Sequence, residues 1–199
     1  MSLPAALATR PHAAVTAAAP AVCSFPPAYR ADARVLILGS MPGEASLAAA
    51  EYYAHPRNAF WPIMGALFGA GPALPYAQRV AQLNAAGVAL WDVIARCRRT
   101  GSLDSAIARD SVEPNDFAAL FAACPRITHV FFNGSAAETA FRRHVRLPAD
   151  FRSLSFARLP STSPAHAARD FAAKLAAWQA VPAALGEDLD ALRALAAAA

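Results

Sequence analysis

Val35-Leu36-Ile37-Leu38-Gly39-Ser40-Met41-Pro42-Gly43 sets an unbroken apolar run directly against a turn of glycine and proline. A run this short and apolar throughout reads as a strand buried on both faces, which is the mark of a parallel sheet covered by helices on either side. When such a strand ends in a Gly/Pro turn, the next backbone N–H groups lie at the carboxyl edge of the sheet, where open α/β folds bind ligands. Outward from this stretch, strands are expected at Arg34–Leu38, Val88–Trp91, His129–Phe132 and Ser155–Leu159. Helices are expected from about Ala59 to Phe68 with Asn58 near the amino end, and over Tyr76–Ala86. Further helices should run to Ala123 behind an Asn115 cap, onward from a Ser135 cap, and over Pro164–Ala180. Four strands alternating with helices predict an α/β fold: a three-layer α/β/α sandwich around a central four-stranded parallel sheet.

The chain of 199 residues suits one domain. Residues 1–22, rich in Ala and Pro, read as a disordered tail; 23–182 form the folded domain; 183–199 are helical by propensity, with Leu189, Leu192 and Leu195 spaced to cover an apolar surface. The net charge of +4 and pI near 9.3 fit an anionic partner. Lys174 is the only lysine, so the positive charge is almost all arginine, which contacts phosphate bidentately and stacks on bases. Cys23, Cys97 and Cys124 are scattered, with no C-x-x-C pair, which predicts reduced thiols, a cytoplasmic setting and no metal. No run of eighteen apolar residues is present, so no membrane-spanning helix is expected.

Fifteen or so positions beyond the turn comes Tyr52-Tyr53-Ala54-His55-Pro56-Arg57-Asn58-Ala59-Phe60-Trp61, which gathers aromatic, imidazole, guanidinium and amide groups near the same edge. That is a pocket for a flat polar ring. A second segment, Leu159-Pro160-Ser161-Thr162-Ser163-Pro164-Ala165-His166, follows the last expected strand. The order G-x-x-P-G, aromatic, His-Pro-x-Asn, Phe-Trp and then a Pro/Ser-rich loop resembles the mismatch-specific branch of the uracil-DNA glycosylase superfamily. The spellings Gly-Ser-x-Pro and Pro-Ser-Thr-Ser-Pro look most like its deoxyinosine (hypoxanthine)-DNA glycosylase branch. The resemblance covers roughly Phe25 to Trp178.

It implies a monofunctional base-excision enzyme that flips a deaminated base out of DNA and hydrolyses its N-glycosidic bond without a cofactor. The partner implied is DNA carrying such a base; an iron–sulfur cluster is excluded by too few cysteines, and a monomer is expected. Tyr53 aligns with the aromatic that stacks on the flipped base, and Asn58 with the catalytic amide of the deoxyinosine branch, although an asparagine before a helix is also an ordinary cap. His55 is the second catalytic candidate, to polarise the leaving base or hold a phosphate. Gly39, Ser40, Met41 and Pro42 shape the turn so that backbone N–H groups approach a base carbonyl. Met41 stands where mismatch-specific relatives carry a water-activating asparagine, and Leu159 where other branches carry His or Asn. Asn133 is read equally as a reader of the base and as an Asn-Gly turn. Ser161, Thr162, Ser163, Pro164 and His166 are the candidate DNA-binding loop, with Pro164 opening a helix suited to phosphate. Arg57, with Arg96, Arg98 and Arg99, is a candidate for the charged rim. Glu44 and Asp92 are carboxylates near the edge for which no nucleophilic role is expected, and Lys174 is placed away from both motifs, which excludes a Schiff-base mechanism. The alternatives are the same reaction on uracil, and a catalytically silent protein that binds damaged DNA.

Overall fold

The computed structural model describes residues 19–151, 153–166 and 169–186. The strands are β1 Ala21–Cys23, β2 Val35–Gly39, β3 Val88–Asp92, β4 Ile94–Arg98, β5 Glu113–Pro114, β6 His129–Asn133 and β7 Ser155–Leu159. The α-helices are α1 Glu44–Ala49, α2 Phe60–Phe68, α3 Tyr76–Ala85, α4 Phe117–Ala123, α5 Ser135–His144, α6 Phe171–Trp178 and α7 Ala180–Ala184. The main sheet has the order β3-β2-β6-β7 with every pair parallel, the four-stranded sheet that the apolar runs predict.

Alternation along β2 explains the layers. Leu36 and Leu38 point into a core shared with Trp91, Phe132, Phe117 and Leu120 of α4, and Phe141 of α5. Val35 and Ile37 point the other way, among Phe60, Ile63 and Met64 of α2, Leu83 of α3, Trp178 of α6 and Val181 of α7. All five residues of β2 are buried, as they are in β3, so neither strand shows the polar alternation of a one-sided sheet. The chain leaves β2 toward β3 on one flank and later returns to place β6 on the other. The crevice beyond the carboxyl ends of β2 and β6 is therefore the topological switch point of the sheet.

Several local expectations are corrected. The stretch after Trp91, where no strand is expected and Arg96, Arg98 and Arg99 are assigned to a charged rim, is instead β4, the middle of a second, antiparallel sheet ordered β1-β4-β5, and Arg99 just beyond its end is 1% exposed. Asn115 does not cap α4: its amide donates to the Asp92 carbonyl at 2.8 Å, and Asp116 accepts the Ala119 N–H as the cap. Ser135 is the first helical residue of α5, behind Gly134 at the cap position. The helix expected from Pro164 begins only at Phe171, capped by Asp170, so Pro164 opens no helix and provides no helical phosphate site. Helix α1 is an addition to the expected elements. At the carboxyl end, Leu185 is 3% exposed against the core and its carbonyl accepts from Arg34 at 2.7 Å. The assignments to residues 1–18, and those to Leu189, Leu192 and Leu195, lie outside the described residues. Among the described residues no helix is long and apolar enough to cross a membrane.

Candidate active site

A cleft of about 900 Å³ opens at the switch point. Its walls come from the turn after β2, the Tyr52–Asn58 segment, the Ser102–Ser105 loop, the start of α5 and the loop after β7. Both motifs singled out in the sequence thus line one cavity, and Gly39, Ser40, Met41, Pro42, Tyr53, His55, Arg57, Asn58, Asn133, Ser161, Thr162, Ser163, Pro164 and His166 all border it.

Tyr53 adopts φ 57°, a left-handed conformation that a bulky residue holds only when its surroundings enforce it. Phe60 supplies that constraint by stacking on the Tyr53 ring, with centroids 3.9 Å apart and planes 23° apart. One ring face is thereby covered and the half-buried ring lines the cleft, so a planar ligand meets a platform already fixed in place. The Tyr53 hydroxyl is buried without a hydrogen-bond partner among the described residues. Burial and the neighbouring Asp92 push its pKa up, which keeps it a protonated donor.

Asp92 is the group whose importance sequence reasoning missed. It ends β3, lines the cleft, is 3% exposed, and its Oδ2 has no partner among the described residues. Burial pushes its carboxyl up to about 7, the Asp104 charge adds to this, and Arg99 opposes it. A methyl built on Gly39 would stand 2.2 Å from Asp92 Oδ1 and 3.3 Å from the Tyr53 hydroxyl, so both groups converge on the bare glycine. The available signal was a carboxylate closing a strand that is otherwise apolar, Val88-Ala89-Leu90-Trp91. Gly39→Ala is expected to displace that carboxylate. It should lower the activity that this cleft supports by about 10²-fold, the scale of an ångström-sized misplacement, while the circular dichroism of the fold is kept.

Met41 turns its side chain into the core at 7% exposed, so it meets the cleft through its backbone. Asn58 Oδ1 accepts the Phe60 N–H at 3.0 Å, and Nδ2 makes no bond among the described residues, so the residue, one position before the Ala59 cap, holds the first N–H of α2 and keeps a donor for the cleft. His55 Nδ1 accepts the Arg57 N–H at 3.1 Å, which places the proton of the neutral ring on Nε2 and makes His55 a donor as well.

Asn133, which lines the cleft, also has a structural task. Its Nδ2 donates to Thr162 Oγ1 at 2.8 Å and its Oδ1 accepts the Thr162 N–H at 2.9 Å, so its amide clips the loop after β7 to β6. Next to it Gly134 holds φ 91°, and a Cβ there would sit 2.8 Å from Ser161. Thr162 itself is 1% exposed and its carbonyl accepts the Ala59 N–H, so its side chain does not face DNA; Ser161, Ser163, Pro164 and His166 line the outer wall. Lys174 is not remote from this motif: its Nζ donates to the His166 carbonyl at 3.1 Å, behind the cleft wall. Asn133→Ala is expected to lower stability by about 2 kcal/mol, the scale of two lost bonds and stranded partners, and to speed proteolysis within 160–166. Urea denaturation and limited digestion would check both. Of the four arginines expected at the rim only Arg57 borders the cleft; Arg98 pairs with Asp110 at 2.7 Å and Arg99 is buried, its guanidinium donating to the Pro42 carbonyl.

A sandwich of this topology with an aromatic platform, a buried carboxyl and two donors at its switch point defines a protein that grips a planar polar ring. The chain belongs to the uracil DNA glycosylase superfamily, whose family model matches residues 26–182. It is 35% identical over 111 residues to the hypoxanthine DNA glycosylase of Methanosarcina barkeri, a match covering 55% of this chain and 69% of that protein. The hypoxanthine DNA glycosylase of Methanosarcina acetivorans is 33% identical over 114 residues, covering 57% of this chain and 71% of the relative. The fold is similar to the solution NMR structure of a uracil DNA glycosylase candidate from Methanosarcina acetivorans. That comparison has a TM-score of 0.67 and 28% identity over 84% of this chain and 99% of the other.

Proposed function

We propose that the protein is a monofunctional DNA glycosylase that hydrolyses the N-glycosidic bond of deoxyinosine and releases hypoxanthine. The observation that carries this reading is the Asp92 carboxyl, buried at the floor of the cleft with one oxygen unpartnered among the described residues. In its neutral form a carboxyl offers one donor and one acceptor side by side. Deamination of adenine creates the matching edge, a ring N–H beside a carbonyl. The two relatives named as hypoxanthine DNA glycosylases support the choice of base.

The remaining roles follow from position. Tyr53 stacks on the extruded ring, and Asn58 Nδ2 and His55 Nε2 donate to the departing base, whose nitrogens gain negative charge as the bond breaks. Ser161, Ser163, Pro164, His166 and Arg57 hold the strand on either side of the nucleotide. The lone lysine is tied to a backbone carbonyl outside the cleft lining, which supports water rather than an amine as the nucleophile.

A single-turnover assay with excess protein tests the reading on oligonucleotides containing one deoxyinosine, uracil or deoxyxanthine, with alkali to reveal abasic sites. Release chiefly from deoxyinosine is the expected result. Uracil carries the same N–H and carbonyl edge, so release chiefly from uracil would reassign the substrate within one mechanism. Binding without release from any of the three would make the protein a silent damage binder.

A further inference from the structure

Removal of the base also requires a proton acceptor for the attacking water, and the acceptors already described are committed. Asn58 Oδ1 accepts from Phe60, His55 Nδ1 accepts from Arg57, and Met41 has its thioether in the core. Two carboxylates remain at the mouth of the cleft, Glu44 and Asp104. The Glu44 side chain makes no hydrogen bond among the described residues. Asp104 is held: it opens the 3-10 turn Asp104–Ala106, and its Oδ1 accepts the Ser40 hydroxyl at 2.7 Å. The loop is anchored again where Ser102 Oγ accepts the Glu44 N–H at 2.9 Å. One oxygen of Asp104 is thus fixed to the turn after β2, and Oδ2 makes no bond among the described residues. The unpartnered, buried Asp92 oxygen in the same cleft marks where a ring would dock, and Asp104, an exposed residue of the same lining, stands near enough for its charge to act on that carboxyl.

The geometry points to Asp104 as the general base that activates water for glycosidic hydrolysis, with the Ser40 hydroxyl fixing its carboxylate. This rests on the glycosylase reading above and deepens it. In the step, Asp104 takes a proton from water as the water oxygen bonds to C1′. The C1′–N bond breaks and its electron pair leaves with the base. The proton on Asp104 then passes to the released base, so one water is consumed and the products are an abasic site and the free base.

Asp104→Asn keeps an acceptor for the Ser40 hydroxyl and removes the base. The expected result is a single-turnover rate lower by about 10²- to 10³-fold with substrate affinity within about twofold. Glu44→Gln should stay within about twofold of the wild type. Azide is a nucleophile that needs no deprotonation, so in Asp104→Ala it should restore cleavage and leave an azido-sugar oligonucleotide detectable by mass. A rate within about twofold in Asp104→Asn would overturn the proposal, as would a loss that azide does not relieve or one matched by an equal loss of affinity. If the wild type releases base, these outcomes bear on Asp104 alone; a wild type that releases none from any substrate overturns the glycosylase reading together with this one.

Discussion

Asp92→Ala is expected to reduce single-turnover release of hypoxanthine by about 10²- to 10³-fold, the usual scale for losing one preorganised contact in a water-excluded site. Asp92→Asn is the sharper variant. An amide presents the same donor and acceptor pair as a neutral carboxyl, so this enzyme should keep activity within about tenfold while losing its pH response. In the wild type the carboxyl is pushed up to about 7, so the neutral, lactam-matching form predominates below that pH and is lost above it. Wild-type activity should therefore fall as pH rises from about 6 to about 8, either side of that value, and Asp92→Asn should flatten that limb. Stability moves the same way. A carboxyl that ionises near 3.8 when unfolded but only near 7 when folded holds an extra proton in the native state between those values. Its contribution falls across that window as pH rises. Asp92→Asn should accordingly melt higher than the wild type at about pH 8, and thermal scans there and at about pH 5 would show whether the gain is confined to the upper pH. An Asp92→Asn enzyme with the wild-type pH limb would falsify the neutral-carboxyl reading.

Asn58→Ala is expected to be about 10²- to 10³-fold slower in the same assay. That change also strands the Phe60 N–H and should cost about 1 kcal/mol as a lost hydrogen bond at the start of α2. Asn58→Asp separates the two effects. The carboxylate still accepts from Phe60, so stability should be retained, but the donor that faces the cleft is gone and release should remain slow. A fully active Asn58→Asp enzyme would reduce Asn58 to a holder of the Phe60 N–H.

The sheet was legible because β2, β3 and β6 are apolar runs punctuated by Gly, Asp or Asn-Gly, and burial on both faces leaves such runs little other use. The cleft was legible because motif order along the chain becomes order along the carboxyl edge of a parallel sheet. What escaped were facts of convergence. Nothing local to Asp92 shows that Gly39, Tyr53 and Asp104 gather around it and that burial alters its acidity. Asn133 stands before a glycine, and both a turn and a base reader were compatible with that dipeptide; its two bonds to Thr162, 29 positions away, add a task that neither reading contained. Lys174 looked remote because it was read inside one helix running from Pro164; with α6 starting only at Phe171, its Nζ reaches back to the His166 carbonyl eight positions earlier. The helix expected from Pro164 failed for a local reason, since Asp170 is the residue that satisfies an orphan N–H of α6.

The clip between Asn133 and Thr162, the Ala59 N–H on the Thr162 carbonyl and the Trp178 indole on the Pro160 carbonyl join the wall after β7 to three separate elements. Such a wall has little room to close over a guest. The compliance needed to bring a nucleotide into the cleft must then come from the double helix, whose cost of opening depends on the pairing and stacking of the lesion with its neighbours. Selection among sites in a genome would in that case be weighted toward lesions in soft duplex, so that the mechanics of the nucleic acid, as much as the chemistry of the base, sets which damage is repaired first.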